Sequence, residues 1–256
     1  MKNLKKDFNV KVENLNKVFK GNIDSIRIES FVEQTRDYSL YGCYNQVLDW
    51  YDKAREDARN TTIEEIPLEK CKSWKMKEGS FVHDSGEFFK VNGVRVKNTP
   101  EREIGSGGWD QPFLTQKGYD GGILGVLRSY HDGIPHYLVE AKFEPGNYNL
   151  IQISPTVQAT FSNINKAHKG NAPKFVNFFL EDDISFGKVT RQQWLSEDGG
   201  RLFNKRNKGM IVEKKLEDIG TIPANFYWVS LWQIKKMILE ENAIISPHIR
   251  SLISML

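Results

Sequence analysis

Two long runs of β-favouring residues flank the dipeptide Asp132-Gly133, and they constrain the fold more than any other feature of the sequence. The runs, residues 122–131 and 134–144, are rich in Val, Leu, Ile and Tyr. Asp-Gly adopts the positive φ angles that a type I′ turn needs, so the two runs should pair as an antiparallel hairpin. Pro135 stands close enough to the turn to shift the register. The sequence therefore predicts a sheet in the middle of the chain.

Helical patterns stand on either side of this sheet. Apolar residues recur at three- and four-residue steps between Tyr44 and Ala58, which predicts a helix there. Ser230 precedes LWQIKKMI and is followed three positions later by Gln233, the spacing of a capping box. Ser246-Pro247 should begin a last helix whose apolar stripe comprises Ile249, Leu252, Ile253 and Leu256. The predicted class is α+β, a mixed or antiparallel sheet flanked by helices.

The remaining segments determine the predicted domain organisation. FFKVNGVRV, from residue 88, predicts a second hairpin around Asn92-Gly93, whereas residues 60–77 show no sustained period and are predicted to be a surface connection. No repeat, low-complexity tract or linker divides the chain. We therefore expect a helical N-terminal extension, residues 1–80, packed on a domain formed by residues 81–256.

Composition excludes several classes of protein. The chain has 36 Lys and Arg against 33 Asp and Glu. This excess of positive charge is too small to predict electrostatic binding to a nucleic-acid backbone. No run of about 18 apolar residues predicts a membrane span, and no secretory signal is evident. The two cysteines, Cys43 and Cys71, form no CxxC pair. We expect a soluble protein of the reducing cytoplasm, with no nucleic-acid or membrane partner.

Polar residues alternate with apolar ones over two predicted strands. Because side chains alternate across a strand, Glu140, Lys142 and Glu144 should share one face. In the next strand the even positions carry amides and hydroxyls without a charge, namely Gln152, Ser154, Thr156, Gln158, Thr160 and Ser162. Such groups suit sugar hydroxyls and phosphate oxygens. The alternative is the solvated outer face of an ordinary antiparallel sheet.

Two further segments are candidate binding elements. In SEDGGRLFNKRNKG, the paired glycines could admit an anion that Arg201 and Arg206 would bind, although a basic surface loop has the same composition. In IGSGGWDQP, Trp109 could stack on a ligand or belong to the core. Neither GxGxxG nor a P-loop is present. His131 and His136 could approach across the Asp132 turn, but a satisfied pair explains them better than a metal site.

Five segments carry a resemblance to a known family: FFKVNGV, WDQP, EAKFEPGN, QISPTVQATFSN and GGRLFNKRN, in this order. With them the chain resembles the NDP-hexose 2,3-dehydratases. That resemblance implies a substrate that is a nucleotide-linked, typically dTDP-linked, 4-keto-6-deoxyhexose, which loses water across C2 and C3, and a downstream ketoreductase as a further partner. It also implies that residues 81–256 form a Nudix-like catalytic domain, here without the Nudix box.

This chain differs from the family members in its length. Familiar members carry two copies of the unit in tandem, so we expect a homodimer to replace the tandem in this chain. Asp198-Gly199 also stands where the family pattern has Gln-Gly.

The implied reaction assigns roles to the polar residues. A C4 ketone acidifies the C3 proton, so the site needs a base, donors for the enolate oxygen and an acid for the leaving hydroxyl, but neither a metal nor a redox cofactor. Glu144, or in second place Glu140, is predicted as base or acid, with Lys142 at the enolate oxygen. The predicted substrate-binding residues are Trp109, Gln111, Gln152, Ser154, Thr156, Gln158, Ser162, Asn163, Arg201, Arg206 and Asn207.

Two other functions fit the same residues. A keto-sugar-nucleotide isomerase or epimerase would also begin by enolisation toward C3. A non-catalytic subunit that binds a nucleotide sugar would need no base. It would need only the row of uncharged polar residues from Gln152 to Ser162, here called the polar ladder.

Overall fold

Two β-sheets and the helices around them form the part of the chain that the structure, a computed structural model, describes: residues 2–100, 107–116, 120–164, 171–240 and 242–256. The described helices are α1 (Lys2–Phe19), α2 (Ser25–Glu33), α3 (Tyr44–Asp57), α4 (Phe161–Ile164), α5 (Leu231–Ile238) and α6 (Pro247–Ile253). None of them is long and apolar enough to cross a membrane.

The smaller sheet has four antiparallel strands in sequential order. They are β1 (Trp74–Lys77), β2 (Ser80–His83), β3 (Lys90–Lys97) and β4 (Gly108–Thr115). The predicted surface connection over residues 60–77 is therefore wrong at its end, because β1 pairs with β2 around the positive-φ turn Glu78-Gly79. That pair also crosses the predicted domain boundary at residue 80.

The larger sheet has the order β11-β6-β5-β10-β9, with β7 paired to β6 and β8 to β5. Its strands are β5 (Asp120–His131), β6 (Ile134–Phe143), β7 (Ile151–Pro155), β8 (Val157–Thr160), β9 (Lys188–Ser196), β10 (Arg206–Glu213) and β11 (Phe226–Val229). Only β5 and β10 pair in parallel among the described strands. The predicted α+β class with a mixed sheet is confirmed.

The two predicted hairpins have opposite outcomes. Asp132 and Gly133 have φ angles of 48° and 77°, so β5 and β6 join through the predicted two-residue turn, and Tyr130 pairs with Pro135 in unbroken register. The Asn92-Gly93 hairpin is wrong, because β3 runs straight through the dipeptide. The Asn92 amide bonds Ser80 and Thr115 on the neighbouring strands at 2.6 and 2.8 Å, which holds the residue in an extended strand.

The predicted helices are confirmed. α3 spans the predicted segment, and Ser230 caps α5 with the expected reciprocal bonds to Gln233. α6 begins at Pro247, although the Ser246 side chain makes no capping hydrogen bond. Helices α3, α5 and α6 pack on one face of the larger sheet, around a core that includes Val47, Val126, Val139, Ile153, Ile234 and Leu252. A second core, with Leu127, Leu138, Phe179 and Met210, covers the opposite face.

Strands β5 and β6 separate beyond their hairpin, and Thr156 lies where they part. Leu127 pairs with Leu138, but farther along β5 pairs with β8 and β6 with β7. The buried Thr156 hydroxyl donates to the Leu138 carbonyl at 2.5 Å and accepts from the Leu127 amide at 2.8 Å. The larger sheet therefore divides into two arms, β6–β7 and β5–β8, that meet at Thr156.

We expect Thr156→Val to lower the free energy of unfolding by about 2–5 kcal/mol, because it removes the hydroxyl that bridges two buried backbone groups. Thr156→Ser is the matched control and should cost only about 1 kcal/mol, since it loses a methyl group and keeps the hydroxyl. Urea unfolding at neutral pH measures both variants. A Val variant as stable as the Ser variant would contradict the bridging role.

Candidate active site

A cavity of about 390 Å³ opens beside the point where the two arms part. Strands β6 and β8 and the branch point contribute part of its lining, and the segments just before Val176 and before β11 contribute the rest together with Asn163. The described lining residues are Glu140, Lys142, Thr156, Gln158, Asn163, Asn171, Pro173, Lys174, Pro223, Asn225 and Phe226. Five of the predicted site residues therefore meet in one cavity.

Glu140 is the carboxylate in this lining. Its side chain is half-buried on β6 and accepts a hydrogen bond from the Asn225 amide at 3.1 Å. Burial raises the pKa of Glu140 to about 7, and the negative charge of Glu144 acts in the same direction, whereas Lys142 and the Asn225 hydrogen bond oppose the rise. A carboxyl group that titrates near neutral pH can both accept and donate a proton there.

Lys142 lies two residues along the same strand and connects the two arms. Its ammonium donates to the backbone carbonyl of Gln158 on β8 at 3.0 Å and pairs with Glu144 at 3.3 Å. The predicted shared face is confirmed for Glu140 and Lys142, which stand opposite Ser154 and Gln152 in the register of β7. Glu144 follows the end of β6, is more exposed than Lys142, and is not among the described residues of the cavity.

The single polar face predicted from residue 152 to residue 162 is wrong. Ile151 and Ile153 belong to the first core, but Val157 and Ala159 belong to the second, on the other side of the sheet. The alternation inverts at Thr156, because the chain leaves one partner strand there and joins another.

The polar ladder is consequently divided. Gln152 and Ser154 are buried on β7, and the Gln152 amide donates to the Ala243 carbonyl at 2.9 Å. Past β8, the Ser162 and Thr160 hydroxyls bond each other at 2.9 Å. Asn163 does line the cavity.

The predicted binding residues of the glycine-rich segments lie elsewhere. Trp109 and Gln111 stand on β4, where the indole N–H donates to the Gln111 amide oxygen at 2.6 Å and the Gln111 amide donates to the Gly200 carbonyl at 2.7 Å. Arg201 is exposed and pairs with Asp198 at 2.5 Å. None of these three residues is among the described residues of the cavity.

The two predicted residues of β10 are also engaged outside the cavity. The Arg206 guanidinium lies 4.4 Å from the centre of the Trp194 ring, and the Asn207 amide donates to Glu197. The predicted approach of His131 and His136 is confirmed at 4.9 Å between ring centres. Within the described ranges, no three His, Cys, Asp or Glu side chains are grouped so that they could hold a metal ion.

Several polar residues near the cavity were missed in the sequence. Asn171, Lys174 and Asn225 line it from loops, and the sequence around them has no period that could have indicated a site. Burial lowers the pKa of His248, at the start of α6. The nearby charge of Lys142 also lowers this pKa, whereas those of Glu197 and Glu144 raise it. These residues are far apart in the sequence and come together near the two arms only in the folded chain.

Comparison with known proteins identifies the family. Residues 44–256, from α3 to the end of α6, match the sequence profile described as NDP-hexose 2,3-dehydratase. The chain belongs to the NDP-hexose 2,3-dehydratase family. The match includes both arms and every described residue of the cavity, but not α1 and α2.

Three curated relatives carry the name dTDP-4-dehydro-6-deoxy-alpha-D-glucopyranose 2,3-dehydratase. The protein of Saccharopolyspora spinosa is 38% identical over 74% of this chain and 37% of its own length. That of Amycolatopsis orientalis is 37% identical over 79% and 42%, and that of Streptomyces violaceoruber is 36% identical over 70% and 39%. This NDP-hexose 2,3-dehydratase family chain thus spans about two-fifths of the length of the relatives it matches.

Proposed function

We propose that this chain removes water across C2 and C3 of a dTDP-linked 4-keto-6-deoxyhexose, a step of deoxysugar biosynthesis. Family membership and the names of the relatives support the substrate class. The observation that carries the proposal is Glu140, a half-buried carboxyl with a pKa of about 7 in a cavity whose other described polar side chains are amides, two lysines and Thr156. That is the protonation behaviour that enolisation beside a ketone requires.

The proposed first step is proton transfer from C3 to the Glu140 carboxylate. The electrons of the C3–H bond form a C3=C4 double bond, and the C4 carbonyl oxygen becomes an enolate oxygen. Lys142 supplies the positive charge that stabilises this oxygen, and its bond to the Gln158 carbonyl directs the ammonium before substrate arrives.

The second step expels the C2 hydroxyl. The enolate electrons re-form the C4 carbonyl, a C2=C3 double bond appears, and the C2–O bond breaks. Protonated Glu140 returns its proton to the departing oxygen, which leaves as water. The resulting enol then takes a proton at C2 and loses the proton of its C3 hydroxyl, which gives the 3,4-diketo product. The carboxyl group ends in its starting state. The reaction is redox-neutral overall, so the proposal includes no redox cofactor, and Lys142 rather than a metal ion supplies the positive charge at the enolate oxygen.

The roles of the other predicted residues stay predictions. Glu144 stabilises the charge of Lys142 in this proposal rather than taking the C3 proton. Gln158 and Asn163 are proposed to bind sugar hydroxyls, because they line the same cavity. For Gln152, Ser154, Thr156 and Ser162, the contacts within the protein support a positioning role. The proposed diphosphate contacts are those of Arg201, Arg206 and Asn207.

The test is to incubate the purified chain with dTDP-4-dehydro-6-deoxyglucose in deuterated water and follow the sugar by NMR and mass spectrometry. We expect loss of one water molecule and an altered C2 signal. Deuterium incorporation at C3 without loss of water would indicate an isomerase instead. Binding measured by calorimetry with neither change would indicate a non-catalytic subunit.

Assembly, location and fold relationship complete the proposal. A homodimer, a cytoplasmic location, a downstream ketoreductase that consumes the diketo product, and a Nudix-like fold for residues 81–256 are all proposed. Light scattering tests the first of these. A stable monomer with full activity would contradict the homodimer.

A further inference from the structure

A second cavity, of about 940 Å³, adjoins the first. The two share Glu140, Lys142, Pro223, Asn225 and Phe226 in their linings. The boundary between the cavities therefore includes both charged residues to which roles at the sugar are assigned. A ligand longer than a hexose could extend from one cavity into the other.

The residues that are not shared give the two cavities different chemistry. The first has the side-chain amides of Asn163 and Asn171 together with Lys174, which suit hydroxyl groups. The second is lined by the aromatic rings of Trp50, Phe143 and Tyr227. Aromatic rings bind the flat faces of heterocyclic bases, and they do so with little dependence on base identity.

The Trp50 ring is fixed in the second cavity before any ligand binds. Its indole N–H donates to the Ala224 carbonyl at 2.9 Å, and the ring packs against Tyr227 with 5.3 Å between centres and 36° between planes. The Tyr227 hydroxyl in turn donates to the Tyr41 carbonyl at 2.5 Å. A platform held in this way loses little conformational entropy when a base stacks on it.

Charges are also distributed along the second cavity. Lys53, one turn after Trp50 on α3, and Lys142 contribute positive charge, whereas Asp57 lies one turn farther along the helix. Phosphate oxygens are attracted to the lysines and repelled by the carboxylate. The favourable position for a diphosphate is therefore near Lys53 and Lys142, between Trp50 and the first cavity.

We infer that the nucleobase of a nucleotide-linked sugar binds in the second cavity against the Trp50 ring, while the hexose occupies the first cavity at Glu140. This inference rests on the proposed function for its hexose end. It replaces Trp109, on the smaller sheet, as the aromatic residue that stacks on the base, and it places the diphosphate at Lys53 and Lys142 instead of Arg201, Arg206 and Asn207.

Calorimetric titration with dTDP tests the inference without requiring turnover. Trp50→Ala should weaken dTDP binding by about tenfold, within the roughly 5- to 150-fold range that loss of one base stack corresponds to. Trp109→Ala is the matched control and should bind as the parent does. Parental affinity in a folded Trp50→Ala protein, or weakened binding in Trp109→Ala alone, would overturn the inference.

A conservative variant covers the case in which Trp50→Ala does not fold. Trp50→Phe keeps an aromatic ring, so it should fold and retain most of the affinity for dTDP. Stacking of the base on Trp50 should change the tryptophan fluorescence of the parent when dTDP is added, and Trp50→Phe should lose this change. An undiminished fluorescence change in Trp50→Phe would overturn the inference.

The outcomes separate this inference from the proposed function. Trp50-dependent dTDP binding without loss of water from the keto sugar would leave the nucleobase site standing and refute the dehydratase. Loss of water from the keto sugar together with dTDP binding that does not depend on Trp50 would support the dehydratase and refute the nucleobase site.

Discussion

Glu140→Gln should lower the dehydration rate by about 100- to 10,000-fold, the usual contribution of a general acid–base group. Glutamine keeps the size of the side chain and can still bond Asn225, so the fold and the affinity for substrate should change little. What it loses is the ability to take the C3 proton. The measurement is water loss under saturating substrate, with deuterium exchange at C3 as a second readout.

Glu144→Gln is the matched control for this prediction. It removes a carboxylate four residues along the chain that pairs with Lys142 but is not among the described residues of the cavity. We expect a fall of no more than about tenfold, corresponding to one weakened ion pair. Full deuterium exchange at C3 in Glu140→Gln, together with none in Glu144→Gln, would show that Glu144 rather than Glu140 takes the C3 proton.

The same residue sets the expected pH dependence. The base must be ionised, and burial raises the pKa of Glu140 to about 7, so the rate should rise with pH up to that value and level off above it. The remaining activity of Glu140→Gln should lack this rise. A parent profile that rises near pH 4.5, where an ordinary glutamate titrates, would contradict the role of Glu140.

Arg128→Leu should have the largest effect on stability and lower the free energy of unfolding by about 3–5 kcal/mol. The Arg128 side chain is 0% exposed and pairs with Glu29 on α2 and, at 2.7 Å, with Glu213 on β10. Its positive charge also acts on Glu33, a buried carboxyl that accepts a hydrogen bond from Tyr137. Without the guanidinium, Glu29 and Glu33 would lose the cation that lies between them, and Glu213 would be left with its longer pair, at 3.8 Å, to the exposed Lys188.

Arg95→Leu provides the comparison for Arg128→Leu. Arg95 pairs with Asp110 at 2.7 Å on the smaller sheet, but both side chains are more than half exposed. An exposed pair contributes at most about 1 kcal/mol, so urea unfolding should separate the two variants clearly. Equal losses of stability would show that burial of the Arg128 network contributes nothing.

Local signals in the sequence were sufficient where a residue's own backbone preference determines the structure. Asp132-Gly133 forms the predicted turn, and Ser230 with Gln233 forms the predicted cap. Asn92-Gly93 has the same turn preference but lies in a straight strand, because hydrogen bonds from two neighbouring strands hold Asn92. Those partners are 12 and 23 residues away, so the local sequence does not contain them.

The candidate site was predictable to a similar extent. Alternation correctly put Glu140 and Lys142 on one face, because both belong to a single strand. Alternation failed beyond Thr156. Polar and apolar residues continue to alternate in the sequence there, although the chain changes its partner strand from β6 to β5. Alternation does not distinguish Glu144, the first predicted base or acid, from Glu140, because the burial that raises the pKa of Glu140 depends on a cavity that distant loops help to line.

The branch at Thr156 and the bridge made by Lys142 attach the two arms to each other at two places. Glu140 is two residues along β6 from the Leu138 carbonyl that Thr156 holds, or roughly 7 Å, and Lys142 is roughly 13 Å from it. The Lys142 ammonium reaches across to the Gln158 carbonyl of the other arm at 3.0 Å. The two arms therefore form a closed frame, and Glu140 lies between its two points of attachment.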